Sequence, residues 1–286
     1  MRLLRQLNAF IWSFAETFRS LRRGVAVAPF AVYAAVQLLL TAGVVWFAYP
    51  PMSSTIAPAL RWRLGEAALH YPANLFALRP ALAQADSVLM IFLGAVLTAA
   101  AVHMFASFYS GGRDGFAAGW RAAVGRYVPL ALVAAVLMLV THLVARAPFT
   151  FTPGLAERSP ALFRILRLGG LLLVVVIQSL FVYTAPYLVL RGRSLISAVT
   201  GSFRLAAVMP LTTLLIVGIP AAFELLPLWL TRQSRTIATR MAPEFLIWIM
   251  VLWIAVIFFA GYFTTGASTR MFLHATQEEM EEGGGA

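Results

Sequence analysis

The chain contains no cysteine and, among its 22 basic side chains, no lysine. Without cysteine there is no disulfide framework, iron–sulfur cluster, thiolate zinc site or covalently attached haem. Without lysine there is no Walker-type phosphate loop and no Schiff-base chemistry. Charge is scarce as well: charged residues make up 12% of the sequence, against roughly a quarter in soluble domains, which leaves too little polar surface to cover a water-soluble particle. Catalytic patterns are also missing, since neither a serine nucleophile elbow nor an H-E-x-x-H helix occurs. The one acidic cluster, Glu278, Glu279, Glu281 and Glu282, stands beside a glycine-rich terminus where nothing would desolvate it or fix its spacing. A non-enzymatic protein without cofactor or metal is the expectation.

Apolar residues, by contrast, form 61% of the 286 positions, and the mean hydropathy is +0.83. They fall in blocks of about 20 or more, the length a helix needs to cross ~30 Å of hydrocarbon at 1.5 Å per residue. The expected fold class is all-α: a polytopic membrane protein with spans at about 25–49, 86–109, 127–146, 168–190, 207–230 and 244–267. The first block begins after 24 residues and is too long for a signal core, so it reads as a retained span. Residues 25–270 form the transmembrane domain in this reading, 1–24 an interfacial helix, and 271–286 an acidic flexible tail.

In the segment before the first span, Leu4, Leu7, Ile11, Phe14, Phe18 and Leu21 recur at steps of three and four and make one apolar stripe. Arg2, Arg5, Arg19, Arg22 and Arg23 flank it. Such a helix suits the headgroup plane, its cationic side chains reaching for water and anionic lipid, although a partner helix would select a similar stripe. Related patterns precede the third and fifth spans. Phe18-Arg19 is followed by Pro29, Trp120-Arg121 by Pro129, and Phe203-Arg204 by Pro210, with Ser194 a candidate N-cap for the last helix. The chain thus reads as a weak threefold repeat, each unit an interfacial helix followed by a helical hairpin, over roughly 1–110, 111–191 and 192–276.

Arginine sets the expected orientation. Twelve arginines fall on the side of the amino terminus and ten on the other, five of the twelve preceding the first span. Both termini are therefore expected in the cytoplasm of a multi-pass inner (plasma) membrane protein. The exclusive use of arginine fits either a GC-rich coding bias or a surface for anionic headgroups, with Arg2, Arg5, Arg19, Arg22, Arg23, Arg121 and Arg204 as candidate contacts. Partners expected are such lipids and either a second copy or another membrane protein, with no nucleic acid.

Ionisable or strongly polar side chains inside a bilayer are costly and mark functional candidates. His103, His142, Gln178 and Glu224 are the candidates here. The two histidines should differ in depth by roughly 13 Å and not meet. Glu224 follows Gly218 and Pro220, which can bend the fifth span, and is expected to pair with His142 or Arg146 near the outer face. Gln178 is expected to bond a neighbouring helix. A permease pathway past Glu224 and Gln178 is the rival to a lipid-interacting scaffold or accessory subunit. In the last span, Gly261, Gly266, Ala267 and Ser268 mark where another helix could approach closely.

The stretch APYLVLRGRSLISAVTGSFRLAAVMPLTTLLI carries a resemblance. Pro186 near the end of the fourth span, the Arg-Gly-Arg-Ser turn at 191–194, the amphipathic helix with Phe203 and Arg204, and the fifth span resemble a broad bacterial group of six-helix membrane proteins. The group includes the membrane domain fused to some glycerophosphodiester phosphodiesterases and free-standing proteins of the YciC type. The resemblance is specific over about 30 residues and implies an architecture and a setting for lipid-linked work. It transfers no catalytic residue, because the hydrolase domain is absent.

Overall fold

A computed structural model describes residues 2–46, 54, 57–59, 61–62, 65–70, 73–152 and 154–283. Every regular element among them is helical. In lipid no water is present to satisfy backbone polar groups, so each apolar block closes its own hydrogen bonds as a helix.

The first unit consists of α1 (Arg2–Arg22), α2 (Val27–Val45), α3 (Ala73–Leu89), a π-helical turn (Met90–Gly94) and α4 (Ala95–Tyr109). The second holds α5 (Phe116–Val124), α6 (Tyr127–Phe151), the short α7 (Leu155–Arg158), α8 (Pro160–Phe181) and α9 (Thr184–Leu190). The third holds α10 (Leu195–Val208), α11 (Pro210–Phe223), α12 (Leu225–Arg232), α13 (Ser234–Arg240) and α14 (Phe245–Gly283). Five stretches are long and apolar enough to cross a membrane: Leu82–Tyr109, Tyr127–Pro148, Pro160–Leu190, Pro210–Thr231 and Phe245–Gln277. A sixth candidate is the bent pair of α1 and α2, which meet at 75°; α2 alone, with 19 residues, reaches roughly 28 Å.

Each unit opens with a short helix, of 21, 9 and 14 residues, followed by an antiparallel pair, which is the organisation expected from the aromatic–arginine repeats. The pairs are α2 with α4, α6 with α8, and α11 with α14. All three short helices therefore lie at one end of the bundle. They share a local pattern: the residue before each aromatic–arginine pair is small and buried, namely Thr17, Gly119 and Ser202. The Thr17 hydroxyl lies 3.2 Å from Tyr109 Oη. At Gly119 a side chain would put Cβ 2.7 Å from the Ala100 carbonyl oxygen, so only glycine lets α5 sit on α4. Ser202 Oγ donates to the Leu180 carbonyl and accepts from the Tyr183 N–H, at 2.6 and 3.1 Å. Phe18, Trp120, Phe203 and the arginines after them point outward.

Most of the stripe on α1 faces away from the bundle: Leu4, Leu7, Ile11 and Phe18 are exposed, Phe14 and Leu21 at its edge pack against the core, and Ser13, Thr17 and Ser20 on the opposite face are fully buried. Gln6 ties this helix to the third unit, its Oε1 accepting from the Leu211 N–H and its carbonyl from the Thr212 hydroxyl, both at 2.9 Å. The first bond satisfies a donor that the start of α11 leaves unpaired. At the elbow into α2, Gly24 and Ala26 both adopt left-handed backbone, and the Tyr262 hydroxyl donates to the Val25 carbonyl at 2.6 Å.

The hub is α14, which packs on α1, α2, α4 and α11. Its small residues serve the close approaches expected of them: Gly261 faces the Phe30 ring, Gly266 faces Thr17 and Phe105, and Ala267 and Ser268 are buried. One boundary needs correction. The segment from 271 was expected to be a flexible tail, but α14 continues to Gly283 and buries Met271, Phe272, Ala275 and Thr276. Shelter under α1 keeps these turns helical. Ser194 does occupy the N-cap position of α10, without a side-chain capping bond. Of the expected first span, residues 47–49 lie outside the described residues.

Candidate functional site

Two of the expected polar residues share a cavity. Gln178 near the end of α8 and Glu224 between α11 and α12 both line a space of about 370 Å³. The walls come from α4, α6, α8, α9, α11 and α14. Along α6 the lining runs from Leu130 to Thr141, roughly 16 Å of helix. Most of it is apolar, and hydroxyls of Thr98, Thr184 and Thr264 accompany the carboxylate and the amide.

Backbone breaks place these groups. Pro220 removes one helical donor, and at Glu224 the N–H turns to the Ala221 carbonyl at 3.2 Å, three residues back, so α11 ends there. Between α8 and α9 the chain breaks at Val182 and Tyr183, where Ser202 takes up the freed backbone groups. The Tyr183 hydroxyl is held 3.0 Å from Thr213 Oγ1, while the buried Thr184 hydroxyl has no hydrogen-bond partner among the described residues.

Three expected contacts are not formed among the described residues. Glu224 does not pair with His142 or Arg146, because both of those side chains are exposed on the outer face of α6. Thr141, one residue and about 100° earlier, is the one that turns to the cavity. Gln178 makes no hydrogen bond to a neighbouring helix among the described residues and instead borders the cavity. His103 is accounted for locally, its Nε2 lying 3.2 Å from Asp114 Oδ2 in the loop after α4.

Sequence reading missed a second polar site. Asp86 on α3 is embraced by α2: its Oδ1 accepts from the Tyr33 hydroxyl at 2.6 Å and from Gln37 Nε2 at 2.5 Å. These residues, with Thr41, border a smaller cavity of about 160 Å³ between α2, α3 and α14. The available signal was the four-residue spacing of Tyr33, Gln37 and Thr41 on an otherwise apolar helix. No described group of three or more His, Asp or Glu side chains is placed to hold a metal.

The candidate headgroup-contacting arginines lie on or beside the three short helices. Arg19 pairs with Glu16 at 2.5 Å, Arg23 lies over Phe108 at 5.8 Å, and Arg121 Nε donates to the Ala117 carbonyl at 3.3 Å. Arg5, Arg22 and Arg204 are exposed, and the Arg2 side chain lies outside the described residues. Arg270 was also missed. It lies 4.2 Å from the Trp12 ring centroid and 5.3 Å from that of Tyr109, joining α14 to α1 and α4.

No known family matches. The same holds for curated proteins and solved structures.

Proposed function

We propose that this multi-pass membrane protein is a non-enzymatic, lipid-interacting scaffold or accessory subunit of the inner membrane, which engages anionic headgroups through α1, α5 and α10. One observation carries the reading: all three helices bury a small residue against the bundle and turn an aromatic–arginine pair outward at the same end. An aromatic ring and a guanidinium side by side suit the boundary where acyl chains meet phosphates. That end, with both termini, is then the cytoplasmic one. The resemblance to six-helix membrane proteins of lipid-linked systems points the same way.

Near an anionic surface each arginine contributes about 1 kcal/mol. Replacing Arg22, Arg121 and Arg204 together by glutamine should therefore lower phosphatidylglycerol retention by full-length protein in mild detergent about tenfold or more. Native mass spectrometry of the purified variants measures this. Retention equal to wild type, or no preference of wild type for phosphatidylglycerol over phosphatidylcholine, defeats the reading.

A permease is the second reading, and the cavity shared by Gln178 and Glu224 favours it, since its size is that of a ligand site. Its apolar walls and single carboxylate suit an amphiphilic cation. Proteoliposomes should then accumulate ethidium, and Glu224→Gln should return uptake to the protein-free level without altering elution from a sizing column. Uptake indifferent to Glu224 removes this reading.

A further inference from the structure

Among the described residues neither cavity has a basic side chain in its lining, yet each has a carboxylate. The surroundings of Asp86 are the more fully organised. Two donors converge on Oδ1, while Oδ2 receives no hydrogen bond from the described residues. Gln37 is 94% buried, spends its amide N–H on Asp86, and leaves Oε1 buried with no donor among the described residues. The Thr41 hydroxyl gives its proton to the Gln37 carbonyl at 2.8 Å and keeps its lone pairs. The same cavity is bordered by the Trp253 indole, whose face attracts cations. Every polar group left over here is an acceptor, and what they lack is a positive partner.

The backbone is shaped to keep this arrangement. Tyr33, Gln37 and Thr41 recur every four residues and share one face of α2, about 15 Å from Val27 and 12 Å from Val45 at Gln37. Asp86 and Gly94 would diverge by about 80° on a regular helix, but the extra residue of the π turn between them brings both to the α2 side. At Gly94 the missing side chain admits the Tyr33 ring, which an added Cβ would meet at 3.3 Å. The ring in turn delivers its hydroxyl to Asp86.

We infer that Asp86, Gln37 and Thr41 form a membrane-buried site for a small monovalent cation, alkali metal or ammonium, bound from the 160 Å³ cavity between α2, α3 and α14. Asp86 supplies the charge and Gln37 Oε1 a neutral oxygen. Hard cations prefer such oxygen ligands, and an ammonium group would additionally use the indole face. The inference depends on neither functional reading above.

Thermal unfolding of the full-length protein in detergent tests it, with sodium, potassium, ammonium or methylammonium chloride compared with N-methyl-D-glucamine chloride at equal ionic strength. Binding to the folded state alone raises Tm with ligand concentration. At least one small cation should raise Tm by several degrees with saturation, and the series tells alkali metal from ammonium. Asp86→Asn should abolish the dependence, and Gln37→Met should weaken the apparent affinity at least tenfold. Should Asp86→Asn fail to fold, Gln37→Met and Thr41→Val carry the test through equilibrium dialysis of radioactive sodium or methylammonium. Identical Tm in all five chlorides overturns the site. So does a cation response that survives Asp86→Asn or is unaltered by both other variants.

Discussion

Valine at position 266 should dislodge α1 from the bundle. A Cβ there would stand 2.5 Å from Thr17 Cγ2 and 3.0 Å from two atoms of the Phe105 ring, and both neighbours are fully buried. Neither can step aside. Thr17 is β-branched, and its hydroxyl is bound to the Ser13 carbonyl at 2.8 Å. Phe105 is wedged edge-on against Tyr262, with ring centroids 5.1 Å apart, and stacked on Tyr109. Overpacking of this kind costs about 1–3 kcal/mol, and a β-branched intrusion into a helix crossing belongs at the upper end. The expected result is a Tm lowered by several degrees and faster tryptic cleavage at Arg19, Arg22 and Arg23 as α1 loosens. Gly169→Ala is the control, because nothing lies within 4 Å of a Cβ there. Wild-type Tm and wild-type cleavage in Gly266→Val contradict the packing described.

The crossings were legible because lipid leaves an apolar block no alternative to helix, so the block lengths read directly as spans. Proline in the first turn of α2, α6 and α11 marked where they begin. What the sequence concealed is how far polar residues can prolong a span when another helix shelters them. Arg270 and His274 end the apolar run of α14 on paper, but Trp12 of α1 covers both, and the helix goes on. The stripe on α1 was equally ambiguous. A partner helix and a lipid surface select the same spacing, and only the burial of Ser13, Thr17 and Ser20 shows that the bundle takes the hydroxyl face.

For the candidate site, Gln178 and Glu224 were legible as polar residues out of place in lipid, and they do meet at one cavity. Their partners were not, because a rotation of one residue decides whether Thr141 or His142 looks inward. Periodicity cannot fix that rotation for α6, which is apolar nearly all round. Asp86 escaped notice because it sits where the apolar block begins and so resembles an ordinary span boundary. Its buried role rests on Tyr33 and Gln37, 53 and 49 residues earlier in the chain. The π turn that aims it has no counterpart in composition.

Arg270→Met should also loosen α1, and Arg270→Lys should restore most of the loss. Two effects compete at this residue. The guanidinium between Trp12 and Tyr109 gains about 1–2 kcal/mol from each ring when shielded from water. Against that, its Nε is buried without an acceptor among the described residues, a cost of about 1–3 kcal/mol. The Trp12 centroid at 4.2 Å is close enough for the ring contacts to prevail by about 1 kcal/mol, roughly a fivefold rise in the open population of α1 when the charge is removed. Methionine keeps the length and apolar bulk of the stem, so the comparison isolates the cation, and lysine returns a cation that both rings can attract. Tryptic cleavage of the α1 arginines measures the opening. If Arg270→Met closes α1 more tightly than wild type, the buried Nε outweighs the rings, and α1 must be held by its other contacts, the Ser20–Tyr262 hydroxyl bond and Phe14–Phe263 stack on α14 and the Gln6 bonds to α11.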